Sequence, residues 1–573
     1  MEATEHAMTS WDGAELFYRA WVPCEPSDKA ILFFHRGHEH SGRWQQTVDL
    51  LALKDIALFA WDARGHGRSP GERGAANNFA EVIRDVDAFA HHISRNYEIP
   101  IENMIVLAHS LAAVSVAAWV HDYAPPIRAM IFATAAFRVR LYVPFAVPLL
   151  RMKQGLFGPG KVKSYVKSNL LTRDHAQAAQ YDADPLIFKQ IAVNVLLDLH
   201  DTAIRLLADA GAIQTPTLII GAGRDWVVSL KAQVEFFERL SSPLKEIEIY
   251  PAACHAIFHD QDRHLVVQRV RKFVRERFAE QVTQPSLLNA DQVGYTRDEY
   301  ERLKSRGGMK FAVARAGLRV AGRLSDGVNL GWRNGFDSGL SLDYVYENKP
   351  RGWLGVGRLI DKSYLNSIGW RGIRQRKANL KNALRNVIEN LQREGRPIRI
   401  LDIAAGAGRY VIETVHELSD VSIVAILRDY KQENVDAARA LVQEFGLENV
   451  TAERGDAFDR DSIAAIAPRA TLGIVSGLYE LFPRNEPVLN SLHGLAEAIE
   501  PGGYLIYTNQ PWHPQVEFIA RVLRNREGQP WIMRRRTTAE IDELVYVAGF
   551  RKMAMEVDQW GMFTVSIARR AEP

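Results

Sequence analysis

Two α/β units joined in tandem are the fold class this sequence predicts, and three observations carry that expectation. The chain is 573 residues long, which at roughly 150 residues per domain leaves room for two or more cores. Short apolar runs alternate with amphipathic stretches over residues 30–279, and the alternation resumes over 398–567. Such alternation is the pattern of largely parallel sheets covered by helices on both faces. Between the two series, Pro285-Ser286 and a polar stretch to Arg297 mark a linker. The expected boundaries are 1–284, with an inserted cap at about 137–211, a linker and helical, aromatic extension at 285–395, and a second α/β unit at 396–573.

Composition narrows the class. Hydrophobic residues make up 47% and charged residues 24% of the chain, and the formal charge is only +3, values of an ordinary globular protein with no signature of a nucleic-acid binder. The chain starts without a basic stretch leading into an apolar run, and no segment reaches the roughly 18–20 apolar residues of a membrane span. A cytoplasmic protein is expected. Cys24 and Cys254 stand far apart without partners at metal-ligand spacing, so reduced thiols are expected, with no disulfide framework and no metal.

In the first unit, the runs 31–34, 57–60, 104–107, 129–132, 217–220 and 246–249 predict buried strands. The run 104–107 leads at once into Ala108-His109-Ser110-Leu111-Ala112 and then an Ala/Val-rich helix over 113–120. A serine on a tight strand-to-helix turn has its hydroxyl held above the sheet, where the helix N-terminus favours developing negative charge. Asp225 follows the run 217–220, and His255 follows the run 246–249. The order Ser110, Asp225, His255 is the one α/β-hydrolases use. In that chemistry the histidine removes the serine proton, the aspartate fixes the imidazole tautomer, and an acyl-enzyme forms and is hydrolysed.

The segments His35-Arg36-Gly37-His38-Glu39-His40-Ser41-Gly42 and Asp62-Ala63-Arg64-Gly65-His66-Gly67 resemble the monoacylglycerol-lipase and lysophospholipase branch of the α/β-hydrolases. The resemblance spans most of 10–280. It implies an oxyanion hole from the backbone N–H groups of Gly37 and Leu111, and scaffold roles for Asp62 and His66. The chain departs from the family at Ala108, Ala112 and Arg36, where glycines usually stand. Within the cap, the apolar run 141–150 lies near Arg138, Arg140, Arg151 and Lys153, a combination that suits an acyl chain and peripheral contact with an anionic membrane surface, and equally a cap core packed on the sheet.

After the linker, 297–325 reads as a basic amphipathic helical segment, 326–370 is rich in Gly, Trp, Tyr and Asn, and a charged helix is expected over 373–390. The polar-aromatic part is expected to cap the second unit's pocket. Arg371, Arg374, Arg376 and Lys377 read as a solvated helix start or a grip for an anionic group. The strand 398–403 runs into the glycine-containing turn 404–408 and a helix over 409–418, a loop that lets backbone approach a nucleotide-like ligand. A second strand ends near Asp429, some twenty residues on, where an acid can bind ribose hydroxyls.

Later runs at 450–453, 472–478, 501–507 and 563–567 complete a succession that resembles class I S-adenosylmethionine-dependent methyltransferases, with a Rossmann-like fold. The resemblance implies S-adenosyl-L-methionine as cofactor, with Asp402 and the loop Ala404, Gly406, Gly408 at its methionine part, Asp429 at the ribose, and Asp456, Ala457 and Phe458 at the adenine. The chain has Ala404 where the family's first loop glycine usually stands. Ser476, Tyr479 and Glu480, and after the next strand Asn509, Gln510, Trp512 and His513, are candidates for the acceptor wall; His513 is the only obvious base there, yet a lone histidine between Trp512 and Pro514 is more often structural. The motifs leave the acceptor open.

The whole chain resembles bacterial fusions of a hydrolase with a methyltransferase. The function expected is therefore bifunctional: hydrolysis of acyl esters, joined to methyl transfer onto a lipid- or acyl-derived acceptor. The alternatives are a methyltransferase whose hydrolase half only binds lipid or a partner, and a ligand-responsive scaffold. The expected partner is a small-molecule or lipid substrate. The oligomeric state is left open.

Overall fold

The computed structural model describes residues 1–164, 166–281, 285–305 and 307–572. Tyr165 of the cap and Arg306 of the basic segment lie outside the described residues. The chain divides into two compact units, Met1–Gln284 and Pro285–Pro573, both of the α/β class.

The first unit is built on β1 (Thr4–Thr9), β2 (Glu15–Trp21), β3 (Ala30–Phe34), β4 (Ala57–Trp61), β5 (Met104–His109), β6 (Ala129–Ala133), β9 (Thr217–Ala222) and β10 (Lys245–Tyr250), with a small hairpin of β7 (Lys161–Lys163) and β8 (Gln190–Ala192). The sheet order is β1-β2-β4-β3-β5-β6-β9-β10, antiparallel at β1, β2 and β4 and parallel from there on. Every residue of β3, β4, β5, β6 and β9 is buried, which explains their continuous apolar runs. The run 246–249 is a strand but not a buried one: β10 is the sheet edge, and its glutamates alternate with apolar residues on half-exposed faces. β1 and β2 escape the sequence reading because they alternate polar with apolar residues and pair only with each other and β4. Between β6 and β9 the cap carries helices Ala146–Phe157, Ser168–Leu171, His175–Ala183 and Val193–Asp209.

The second unit has β11 (Ile398–Asp402), β12 (Ile423–Asp429), β13 (Val450–Arg454), β14 (Ala470–Val475), β15 (Ile499–Asn509), β16 (Phe550–Val557) and β17 (Thr564–Arg570). Their order is β13-β12-β11-β14-β15-β17-β16. The first five are parallel, and β17 inserts antiparallel between β15 and β16. The order reverses beside β11, so the carboxyl ends of β11 and β14 open a crevice, where open α/β sheets bind ligands.

Ahead of this sheet, the basic segment is two helices, Tyr295–Lys304 and Met309–Ala321. The aromatic stretch is three more, Asp326–Asn334, Gly339–Glu347 and Leu354–Leu365, and the charged helix runs Ile368–Arg393. Buried Asp361 ties the three together: it accepts from Ser325 Oγ at 2.5 Å, from the Gly327 N–H at 2.8 Å, from Tyr344 Oη at 2.5 Å and from the Arg351 N–H at 2.9 Å. Four donors offset the cost of taking a carboxylate out of water.

Candidate active sites

Ser110 sits where β5 turns into the helix Leu111–Tyr123, with φ +59° and ψ −113°, a backbone state few L-residues adopt. That turn aims Oγ at His255 Nε2, 2.8 Å away, and His255 Nδ1 donates to Asp225 Oδ2 at 2.8 Å. Asp225 Oδ1 in turn accepts from the N–H groups of Val227 and Val228 at 2.8 and 2.9 Å. The His255 carbonyl is held by His109 Nε2 at 2.9 Å and by Thr134 Oγ1 at 3.0 Å. Burial holds His109 well below the usual imidazole range, so it serves as a neutral donor. The sequence reading gave neither a role: His109 stands inside the elbow pentapeptide but its ring turns to the His255 carbonyl, and Thr134 belongs to no motif.

Gly37 and Leu111 face each other: a Cβ on Gly37 would lie 3.7 Å from Leu111 Cδ1. Among the described residues, neither N–H donates to a protein acceptor, which leaves both for an oxyanion. Arg36 has a physical account. Its guanidinium donates to Glu39 Oε1 at 2.8 Å and lies over the Tyr181 ring at 5.0 Å, with both charged side chains buried. Burial pushes the Glu39 carboxyl up and Arg36 pulls it down, with a net lowering well below the usual range. Arg36 is thus an internal partner of Glu39. Ala108 and Ala112 are buried without positive φ, so at neither position does the backbone demand glycine. Asp62 accepts from the N–H groups of Ser41 at 2.5 Å and Arg68 at 2.8 Å, and buried Cys254 gives its N–H to Asp260 Oδ2 at 2.7 Å. The relay opens on a cavity of about 300 Å³ walled by Leu141, Val143, Leu149, Val162, Ile191 and Leu199 of the cap.

In the second unit, the turn after β11 places Gly406 at φ +60° and Gly408 at φ +65°. A Cβ on Gly408 would meet Leu427 Cδ1 at 2.5 Å, so both its conformation and its packing require glycine. Ala404 has no positive φ, and its methyl is tolerated where the family's glycine stands. Asp429, at the end of β12, accepts from the Gly406 N–H through Oδ2 and from the Lys431 N–H and Asn434 Nδ2 through Oδ1, each at 2.9 Å. Asp456 accepts from the Phe458 N–H at 2.9 Å. The loop, Asp429, Asp456, Ala457, Phe458 and Ser476 all line one cleft of about 360 Å³.

Asp402 is different: it lies beneath the loop, fully buried, and is absent from the cleft wall. Tyr410 Oη donates to its Oδ2 at 2.5 Å, while Oδ1 is buried without a partner. Burial pushes its carboxyl up to about 7, against the Tyr410 hydrogen bond.

A second cavity of about 350 Å³ adjoins the cleft and shares Asp337, Leu342, Arg376, Gly477 and Leu481 with it. The helical extension walls both spaces, and Arg409 donates to Asp343 Oδ2 at 2.8 Å, fastening the extension to the glycine loop. Glu480 and His513 line this second cavity. Tyr479 and Asn509 do not: Tyr479 Oη donates to Ser491 Oγ at 3.0 Å within the core, and Asn509 Nδ2 donates to the Arg536 carbonyl at 2.9 Å. His513 is not placed as a base. Its Nδ1 accepts from the Gln515 N–H at 3.0 Å, which leaves the proton on Nε2, and burial holds the ring down to about 3. Arg376 is not a solvated helix start either. It is 3% exposed and stands in the wall between the two spaces.

Sequence reading also passed over Arg534-Arg535-Arg536, which resembles a surface run but is buried. Arg535 donates to the Pro511 carbonyl at 2.8 Å, and Arg536 to the carbonyls of Tyr479, Phe482 and Arg484 at 2.6, 2.8 and 2.9 Å. Together they fix the loops carrying Gln510 and Glu480. Glu540 pairs with Arg534 from only six residues on, whereas Glu299 reaches Arg535 from 236 residues earlier, a pairing that no local spacing reveals.

A family profile described as "Putative methyltransferase" matches residues 270–570. The chain belongs to that methyltransferase family. Residues 25–262 of this family member match a second profile, described as "Serine aminopeptidase, S33". Uncharacterized protein YnbC of Escherichia coli (strain K12) is 46% identical over 578 residues, covering 99% of this chain and 98% of that protein. The monoacylglycerol lipase of Mycolicibacterium smegmatis is 22% identical over 272 residues, covering 47% of this chain and 96% of that protein. A solved monoacylglycerol lipase from Paleococcus ferrophilus aligns at a TM-score of 0.41 and 21% identity, covering 48% of this chain and all of that one. The methyltransferase family member thus carries an α/β-hydrolase domain that resembles monoacylglycerol lipases. Among its described residues no helix is long and apolar enough to cross a membrane.

Proposed function

We propose that the chain is a bifunctional enzyme, a serine hydrolase of acyl esters joined to an S-adenosylmethionine-dependent methyltransferase, with a lipid- or acyl-derived acceptor. The observation that carries this reading is the coexistence of two spaces in one chain. One is an apolar cavity at a fully bonded serine, histidine and aspartate; the other is a glycine-loop cleft ending at Asp429 and Asp456.

In the hydrolase unit, His255 takes the Ser110 proton as Oγ attacks the ester carbonyl, and Asp225 keeps Nδ1–H directed and stabilises the imidazolium. The Gly37 and Leu111 amides receive the oxyanion. His255 then protonates the leaving alcohol, and water repeats the sequence to release the acid. The cap supplies the acyl-chain wall. Its outer face exposes Phe145 at 80% and Phe157 at 81%, and this supports work at a lipid surface from the cytoplasmic side.

In the second unit, the cleft's residues fit the cofactor. Gly406 and Gly408 would bring backbone close to the cofactor, Asp429 would meet the ribose hydroxyls, and Asp456, Ala457 and Phe458 would hold the adenine; Asp402, sealed beneath the loop and off the cleft wall, would support the loop rather than touch the methionine part that the resemblance assigns to it. When bound, S-adenosylmethionine supplies a methyl group already activated by its sulfonium. The chain's own work is to align an acceptor and exclude water.

Two assays test the reading: fluorophosphonate labelling, with Ser110→Ala as control, and calorimetry with S-adenosylmethionine. Labelling that persists in the variant removes the hydrolase assignment. Folded protein that gives no heat with S-adenosylmethionine removes the methyltransferase one.

A further inference from the structure

The cavity beside the cofactor cleft is apolar almost throughout, with walls of Leu318, Ile360, Trp370, Phe518, Leu523 and Phe563. Four of the lining residues carry a buried polar atom that has no partner among the described residues: Glu480 Oε2, Gln510 Nε2, Arg376 Nε and Trp531 Nε1. Leaving such atoms unpaired costs about as much as a lost hydrogen bond each, and that four residues of one cavity's lining share this condition points to a site that a ligand completes.

Their arrangement selects the ligand's head. Arg376 stands in the wall shared with the cleft, and Glu480 Oε1 already accepts from its Nη1 at 3.4 Å. A buried cation that has its own carboxylate offers little to a second anion. What remains is an acceptor at Glu480 Oε2 and donors at Gln510 Nε2 and Trp531 Nε1, a set that one neutral hydroxyl can meet, giving its proton to the carboxylate and its lone pairs to the two N–H groups. Arg536 and Arg535 hold the adjoining carbonyls of Tyr479 and Pro511, so Glu480 and Gln510 are fixed in place. The apolar remainder, about 350 Å³, accommodates an alkyl or aromatic body.

Taking the neighbouring cleft as the cofactor site, we propose that this cavity binds the methyl acceptor, that the acceptor is an apolar molecule bearing a neutral hydroxyl, and that Glu480 is the catalytic residue that takes the hydroxyl's proton. The proton passes to Glu480 Oε2. The oxygen electron pair forms the new bond to the methyl carbon as the carbon–sulfur bond breaks, and that pair stays on sulfur. His513, with its lone pair engaged by Gln515, takes no part in the transfer.

The probe series is 4-octylphenol, 4-octylanisole, 4-octylbenzoate and unsubstituted phenol, titrated calorimetrically into the full chain saturated with S-adenosylhomocysteine. Octylphenol binds best. The anisole, which has no proton to give, the benzoate, which brings a second anion, and phenol, which lacks the apolar body, each bind about tenfold to a hundredfold more weakly. Glu480→Gln keeps the shape and S-adenosylhomocysteine affinity but brings octylphenol and octylanisole within about threefold of each other. Leu523→Trp fills the cavity and removes octylphenol binding alone. Equal affinity for octylphenol and octylanisole, discrimination that survives Glu480→Gln, or no octylphenol binding in protein that binds S-adenosylhomocysteine overturns the proposal. Failure to bind S-adenosylhomocysteine instead overturns the cofactor reading beneath it.

Discussion

The hydrolase cavity and the apolar cavity of the methyltransferase unit are close in size, about 300 and 350 Å³, yet they treat their polar atoms in opposite ways. Around Ser110, each side chain of the proposed relay is bonded to the next, and no atom of the three is left buried and unpartnered. Around Glu480, four buried polar atoms have no partner among the described residues. The difference follows from the chemistry. A covalent mechanism needs nucleophile, base and orienting acid assembled before the substrate arrives, because proton transfer runs along that chain. Methyl transfer draws its activation from the cofactor, so the protein's polar groups need only meet the acceptor.

The largest expected effect attacks the assembled side. Ser110→Ala abolishes fluorophosphonate labelling and lowers ester hydrolysis by about 10³-fold or more, while the melting profile stays unchanged. Next, Gly408→Ala forces a methyl into Leu427 at a left-handed backbone position. It is expected to cost about 1–3 kcal/mol of stability and at least tenfold in S-adenosylmethionine affinity, read by melting and calorimetry, with ester hydrolysis unaffected. Asp402 gives a pH signature. Its folded pKa is raised to about 7 by burial, so its contribution to stability is fully present below the unfolded carboxylate range near 4 and is lost as pH rises through about 7. The melting temperature of the wild type should therefore fall relative to Asp402→Asn between pH 5 and 8, and parallel curves would contradict the assignment. Phe145→Asp should weaken sedimentation with anionic vesicles severalfold while leaving hydrolysis of a soluble short-chain ester intact. Ala108→Gly should be the mildest, changing hydrolysis by less than about threefold, since Ala108 sits in ordinary backbone.

The same contrast governs what the sequence made legible. Buried parallel strands announce themselves as apolar runs, and the elbow serine, the later acid and the histidine follow those runs in fixed order, so the fold class and the residues Ser110, Asp225 and His255 could be named before any coordinates. β1, β2 and β16 were not legible because edge and antiparallel strands carry half-polar patterns. His109 and Thr134 act through the backbone carbonyl of His255, a contact that no residue spacing encodes. Arg376 read as a solvated helix start or an anion grip, and Arg534-Arg535-Arg536 was passed over, because Glu480, Glu299 and a set of loop carbonyls meet them only in three dimensions. Tyr479, Glu480 and His513 lie on adjacent loops, and only the direction of each side chain separates a core tyrosine and a donor histidine from the acid that faces the cavity.

The central claim is that one chain hydrolyses acyl esters and methylates an apolar acceptor, and one incubation tests it most directly. The full chain is mixed with a bacterial lipid extract and S-adenosylmethionine carrying a deuterated methyl group, with Ser110→Ala run in parallel, and the organic phase is analysed by mass spectrometry. The account predicts a deuteromethylated apolar product in the wild-type sample, reduced in the variant where hydrolysis supplies the acceptor. An organic phase free of label, from protein that binds S-adenosylmethionine, would contradict it.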